Sequence, residues 1–186
     1  MGKFIFKPAD IDGVCIIEPE VFRDARGCFM ELHNLRVFEE HGINQRFVQD
    51  NLSISKKGKL RGLHFQKSNP QGKLIKVLQG EIYDAVVDIR TGSKTFGKWI
   101  GVTLKDHDNK LLFIAEGFAH GFLVLSETAA VLYKCTDFYN PMEESGLIWN
   151  DSAIGIKWPL EDISELIMSD KDKSWPGINS ILSNKH

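Results

Sequence analysis

Short apolar runs, each closed by Gly, Asn, Asp or Ser, set the pattern of this chain. Val14–Ile17, Gly27–Leu32, Arg46–Gln49 and Lys59–Gln66 come first. Leu74–Leu78, Glu81–Ile89, Trp99–Leu104, Leu111–Ile114, Gly121–Leu125 and Ala129–Tyr139 follow. Val, Ile, Phe and Tyr enrich these runs, and that composition between turn-forming residues reads as strands. Only Leu35–His41, closed by Gly42, and Glu161–Met168 carry helical spacing, about two turns each. Many short strands without intervening helices predict an all-β chain, a jelly-roll barrel or sandwich with a few short helices. No repeat, low-complexity segment or linker interrupts the pattern, so residues 1–186 are expected to form one domain. A length of 186 residues with 42% hydrophobic residues suits one well-packed core.

Strand alternation assigns faces to the polar residues. In Lys59–Gln66, regular alternation puts His64 with Leu60, Gly62 and Gln66 and turns Arg61 the other way. Gly62 permits a bulge that would bring Arg61 round to the histidine. Tyr133 shares the apolar face of Ala129, Val131 and Cys135, which predicts a phenol carried into the barrel. Asp84 and Asp88 share a face with Ile82 and Val86. A carboxylate inside a barrel is costly unless paired, so Asp84 is expected to hold a partner such as a histidine.

The segment Leu60-Arg61-Gly62-Leu63-His64-Phe65-Gln66, followed by Gln71-Gly72-Lys73, concentrates the candidate chemistry. A single imidazole cannot hold a metal, but it can take a proton. Two nearby cations suit an anionic substrate and an anionic intermediate, so proton abstraction next to a carbonyl is the leading reaction class. Taken singly, each residue has a blander reading as packing or solvated charge. The bulk numbers remove other classes. A net charge of −2 with scattered basic residues gives no nucleic-acid footprint. No apolar window is long enough for a membrane span, and the N-terminus lacks the apolar core of a signal peptide. Phe6 stands where a myristoylation signal after Met1-Gly2 needs Ser or Thr. Cys15, Cys28 and Cys135 are odd in number and widely spaced, which fits a reducing cytoplasm rather than a disulfide framework or zinc site.

Ala115-Glu116-Gly117-Phe118-Ala119-His120-Gly121-Phe122 is similar to the second motif of the cupin family of jelly rolls, with Ala115 where proline is usual. The first cupin motif normally carries His-x-His and a glutamate; here His64-Phe65-Gln66 lacks the second histidine. His64 and His120 are too few ligands for a stable divalent site, which favours chemistry without a metal.

Across Val14 to Asp172 the chain resembles the dTDP-4-dehydrorhamnose 3,5-epimerase family. Its anchors are Arg26-Gly27, Phe47-Val48-Gln49-Asp50-Asn51, the Leu60–Gln66 segment, Gln71-Gly72-Lys73-Leu74 and Val87-Asp88-Ile89-Arg90. Gly117-Phe118-Ala119-His120-Gly121-Phe122, Trp149-Asn150-Asp151, Ile156-Lys157-Trp158-Pro159 and Ser169-Asp170-Lys171-Asp172 close the series. The resemblance implies that His64 removes the protons from C3 and C5 of a dTDP-linked 4-keto-6-deoxy sugar. Asp172 would pair with that imidazole, Tyr133 would return a proton from the opposite side, and Lys73 would hold the enolate oxygen. Arg26, Glu31, Gln49, Asp50, Asn51, Arg61, His120, Glu144 and Lys171 match positions that line the substrate or nucleotide site. It further implies no cofactor and a homodimer, in which Arg26 and Glu31 serve the neighbouring subunit's site. Cys28 and Met30 depart from the aromatic residues common there, and Asn34 follows His33 where an aromatic pair is usual. A single-centre epimerase acting on a related sugar shares the same catalytic residues and stays open as the alternative. A non-catalytic sugar-binding cupin would not require the set His64, Asp172, Tyr133 and Lys73.

Overall fold

The computed structural model describes residues 3–183, so Met1 and Gly2, on which the myristoylation reading turns, lie outside it. Among the described residues, thirteen strands and three short helices follow one another along the chain. The strands are β1 (Phe4–Pro8), β2 (Val14–Pro19), β3 (Val21–Asp24), β4 (Gly27–Met30), β5 (Gln49–Lys56), β6 (Leu60–Gln66) and β7 (Lys73–Gln79). They continue with β8 (Glu81–Asp88), β9 (Trp99–Lys105), β10 (Leu111–Ile114), β11 (Phe118–Val124), β12 (Thr128–Cys135) and β13 (Glu144–Gly146). The helices are α1 (Leu35–Glu40), α2 (Asp170–Lys173) and α3 (Asn179–Ser183).

Two antiparallel sheets face each other. One has six strands in the order β1-β2-β10-β7-β12-β5, the other five in the order β13-β6-β11-β8-β9. Most neighbours within a sheet are distant in sequence, the crossover pattern of a jelly roll. Between the sheets pack Ile75, Val77, Leu112, Ile114 and Val131 from the first and Ile82, Val86, Leu104, Phe118 and Phe122 from the second. The outer face of the five-stranded sheet is covered as well. Leu60, Leu63, Ala85, Val87, Ala119 and Leu123 lie under Leu147, Ile154, Trp158 and Ile178 of the C-terminal region. Strand β11 is therefore buried along its whole length. On the other sheet, α1 sets Phe38 against Ile17, Leu74, Leu111 and Phe113. Asn34 caps that helix by accepting from the Val37 backbone N–H, and Gly42 closes it at φ +82°. Farther along the same sheet, Leu52 and Ile54 of β5 remain exposed.

Several expectations need correction. Residues 46–48 are not a strand; β5 begins at Gln49 and runs on to Lys56. Gln49, Asn51, Ser53 and Ser55 take its more buried positions, while Leu52 and Ile54 alternate to the exposed ones, the reverse of the usual signature. The helix expected over Glu161–Met168 is absent, and residues 161–168 run as turns and extended chain. The Leu60 N–H donates to the Ile167 carbonyl at 2.9 Å, and the Ile167 N–H donates to the Gly58 carbonyl at 2.9 Å. Pairing with the edge of β6 thus satisfies backbone groups that a helix would have satisfied internally. Strands β1, β3 and β13 carried too weak an apolar pattern to be read.

Candidate active site

His64 reaches the interior because β6 is not regular. His120 pairs with His64 and Phe122 with Arg61, so β6 carries one residue more than β11 over this stretch. The extra residue is a bulge at Gly62-Leu63. Gly62 sits at φ +121°, and a Cβ there would lie 2.5 Å from Gly121 Cα and 2.8 Å from the His120 carbonyl oxygen. Glycine is required at that approach. The bulge sends Leu60 and Leu63 to the outer core and leaves Arg61, His64 and Gln66 on the inner face. Alternation alone grouped His64 with Leu60; the bulge groups it with Arg61.

These side chains line a cavity of ≈ 800 Å³ between the sheets, a size that holds a substantial small molecule. On the five-stranded wall stand Arg61, His64, Gln66, His120 and Phe122. On the six-stranded wall stand Gln49, Asn51, Ser53, Ser55, Lys73, Tyr133 and Cys135. Arg61 Nε bridges the walls by donating to Ser55 Oγ at 3.1 Å. Tyr133 is where the apolar alternation of β12 placed it, facing His64 from the opposite sheet.

His64 Nε2 lies 2.6 Å from Asp172 Oδ1, a contact spanning 108 positions of the chain. Ser169 caps α2 by accepting from the Asp172 N–H at 3.1 Å, which turns the carboxylate toward β6. The Gly62 N–H at 3.4 Å and Trp175 Nε1 at 3.3 Å also donate to it. Burial would raise the Asp172 carboxyl, but the hydrogen bond from His64 and these further donors outweigh it and hold it below its ordinary value. An ionised carboxylate only accepts, so His64 carries a proton on Nε2, and its neutral tautomer has the lone pair on Nδ1.

A second His–Asp pair lies deeper. His120 Nε2 is 2.8 Å from Asp84 Oδ2, with Asp84 fully buried on β8. The expectation of a histidine partner for Asp84 is met. Its other oxygen, Oδ1, has no hydrogen-bond partner among the described residues. Burial raises the Asp84 carboxyl, with His120 and Lys73 pulling against it. Lys73 makes no hydrogen bond or ion pair of its own within the described residues. Burial pushes its ammonium down, opposed by Cys135 and Asp84. Burial also raises the Tyr133 phenol, Cys135 adds to the rise and Arg61 opposes it.

At one mouth, Glu144 accepts from Tyr139 Oη and pairs with Lys171 Nζ. Lys171 also stands 5.5 Å from the centre of the Trp175 ring. Three expected site residues do not join the cavity of their own chain. Asp50 points outward from β5 and pairs with Lys134 at 2.7 Å. Arg26 sits exposed on the β3–β4 hairpin against Asp24, and Glu31 accepts from Asn34 Nδ2 at 2.9 Å. The reading of single residues missed Tyr139, Ser53 and Ser55 as cavity-lining, while Cys135 lies on the inward face assigned to it with Tyr133. Ser53 and Ser55 follow from the alternation of Gln49 and Asn51 once β5 is extended. Tyr139 had no local signal. Among the described residues, no group of three or more His, Cys, Asp or Glu side chains is gathered as a metal site.

A family profile described as dTDP-4-dehydrorhamnose 3,5-epimerase matches residues 8–180. The chain is similar to the dTDP-4-dehydrorhamnose 3,5-epimerase of Methanothermobacter thermautotrophicus, 54% identical over 175 residues that cover 94% of this chain and 95% of that one. It superposes on the dTDP-6-deoxy-D-glucose-3,5-epimerase of Legionella pneumophila, solved with dTDP-4-keto-L-rhamnose, at a TM-score of 0.91 and 46% identity, covering 95% and 94% of the two chains. A 3'-monoepimerase from Streptomyces bikiniensis, solved with dTDP-quinovose, matches at a TM-score of 0.87 and 31% identity, covering 95% and 89%.

Proposed function

The chain belongs to the dTDP-4-dehydrorhamnose 3,5-epimerase family, and from that premise we propose how its side chains divide the work. The enzyme epimerises dTDP-4-dehydro-6-deoxy-D-glucose at C3 and C5 to give dTDP-4-dehydro-L-rhamnose. C3 and C5 flank the C4 ketone, so their protons are the acidic ones. Both carbanions delocalise onto the same C4 oxygen, and one oxyanion site therefore serves both inversions.

His64 Nδ1 takes the proton from C3 and, in a second cycle, from C5; between the cycles His64 releases its proton to solvent and Tyr133 takes one up. Asp172 fixes the tautomer through Nε2 and supports the imidazolium that forms. Tyr133, on the opposite wall, delivers a proton to the other face of the carbon, which inverts it. Its raised phenol keeps the proton available for donation. Lys73 places a cation where negative charge develops on the C4 oxygen. Arg61 suits a diphosphate, since a planar guanidinium can contact phosphate oxygens through two donors. Gln49, Asn51 and His120 line the sugar, and Glu144 with Lys171 lines the nucleotide end. The observation that carries this reading is the 2.6 Å His64–Asp172 pair facing Tyr133 across one cavity.

We also place the enzyme in the cytoplasm as a homodimer. Arg26 is exposed on a hairpin that stands apart from both sheets, and that hairpin exposes Phe22 and Phe29 to solvent. These residues are positioned to enter a neighbour's cavity rather than their own. No described helix is long and apolar enough to cross a membrane.

Incubation with dTDP-4-keto-6-deoxyglucose in D₂O, followed by NMR, tests the function. Deuterium is expected at both C3 and C5. Incorporation at one carbon would select the single-centre reaction, and no exchange at saturating substrate would refute both.

A further inference from the structure

Asp172 accepts two hydrogen bonds on one oxygen. His64 Nε2 lies 2.6 Å from Oδ1, and Trp175 Nε1 donates to the same atom at 3.3 Å. The Gly62 N–H, at 3.4 Å, reaches the other oxygen instead. The indole of Trp175 also meets the His64 ring edge-on, with 6.5 Å between centres and 75° between planes. It stands behind the cavity wall rather than on it, so its route to the reaction runs through Asp172.

The place of the indole is built from two sides. Gly146 of β13 lies opposite His64 in the ladder and is buried. A Cβ at Gly146 would come within 2.5 Å of Trp175 Nε1 and 2.6 Å of its Cδ1, so the bare backbone there admits the pyrrole edge. The Ser174 N–H donates to the Lys171 carbonyl at 3.0 Å, and the Ile148 N–H donates to the Pro176 carbonyl at 2.9 Å. The backbone is thus tied down just before and just after Trp175. A donor locked by its own packing holds a geometry that a freely rotating carboxylate would lose.

We propose that Trp175 is a positioning residue for the proton transfer: its indole N–H aims Asp172 at His64 and draws off part of the carboxylate charge that supports the imidazolium. The proposal rests on the reading of His64 as the base. The shared oxygen sets the sign of the effect. Without the indole N–H, Oδ1 keeps only the imidazole as donor, and the protonated ring gains support. Lys56, Lys59, Arg61, Lys73, Tyr133, Cys135, Tyr139 and the Glu144–Lys171 pair share the cavity with His64, and His120 there is paired with Asp84. Exchanging one neutral aromatic for another alters the charge of none of them.

Trp175→Phe keeps a ring against His64 and removes the N–H. The acid limb of its kcat/KM profile is expected to move up by about half a pH unit, a loss of about threefold below the limb and little on the plateau. An unmoved limb, a downward shift or an equal loss at every pH would overturn the proposal, the last because it marks a packing role. The wild type carries a second readout that does not depend on the variant folding. Its Trp175 indole N–H resonance, assigned by heteronuclear NMR, should shift with pH at the midpoint of the His64 ring signals. An indole signal that stays still while His64 titrates would overturn the proposal on its own. That titration uses ligand-free protein and no turnover. A wild type that fails to epimerise would therefore refute the proposed function and leave the indole measurement to decide whether Trp175 serves the pair.

Discussion

Two His–Asp pairs sit on neighbouring strands, with His64 and His120 directly opposite each other in the β6–β11 ladder. Their chemistry is alike on paper and differs in surroundings. Asp172 arrives from a short C-terminal helix, gathers donors from His64, Gly62 and Trp175, and is held below its ordinary pKa. Asp84 lies deeper, gains one donor, and is raised by burial. The His64 side chain keeps 35% of its surface open, whereas that of His120 keeps 10%. An accessible imidazole on a well-supported carboxylate suits a proton-cycling role; the deeper pair offers less access to a bound molecule. Residue identity alone does not assign the base. The donors gathered around Asp172 favour His64 for the proposed role.

The sharpest way to break this comparison is to remove each histidine. His64→Ala should lower solvent exchange at C3 and C5 by roughly 10²–10⁴-fold while dTDP binding, measured by calorimetry, stays close to wild type. His120→Ala should cost much less exchange. Equal losses in the two variants would dissolve the distinction between them. Next in size is Tyr133→Phe, which should slow the appearance of inverted product more than the wash-out of substrate protons. Equal slowing of both, read by NMR in D₂O, would remove its role as the acid.

A smaller effect concerns stability. Asp88 is held well below the ordinary carboxylate range because the bonds from Arg90, Ser93 and Thr95 outweigh its burial. A depressed folded pKa contributes stability that is complete above the unfolded value, near pH 4, and is lost as pH falls through the folded one. Asp88→Asn should therefore lower the melting temperature at pH 7, at a cost of about 1–3 kcal/mol, and the gap to wild type should narrow toward about pH 2. Exchange activity at 25 °C should be retained. The smallest effect is expected at Asp50. Its partner Lys134 lies on the outer face, so Asp50→Ala should leave KM and the melting curve nearly unmoved. A large rise in KM would contradict the outward placement.

Much of this arrangement can be read from the residues, and the gaps have physical causes. Strands β8 and β12 are legible because apolar residues mark their inner faces, and that marking carries Asp84 and Tyr133 inward with them. Strand β5 is obscured because it walls a polar cavity: Asn51, Ser53 and Ser55 point in, and Leu52 and Ile54 point out. Residues 161–168 have apolar residues at helical spacing, yet they use them against the sheet while Ile167 pairs with the edge of β6. Asp172 is 108 positions from His64 and lies on a single turn of helix, so no local pattern joins them; only the family resemblance does. Arg26 and Glu31 lie away from their own cavity, and a role for them depends on a second subunit.

The bulge at Gly62 has a consequence of counting. Side chains separated by an odd number of positions along a regular strand fall on opposite sides of a sheet, and Arg61 and His64 are three apart. One surplus residue changes the parity and puts both into the same chamber. A chain lacking that residue would retain every side chain described here and still separate Arg61, the proposed diphosphate contact, from His64, the proposed base. Shortening the strand by one position is thus a mutation that deletes no functional group and dismantles the site.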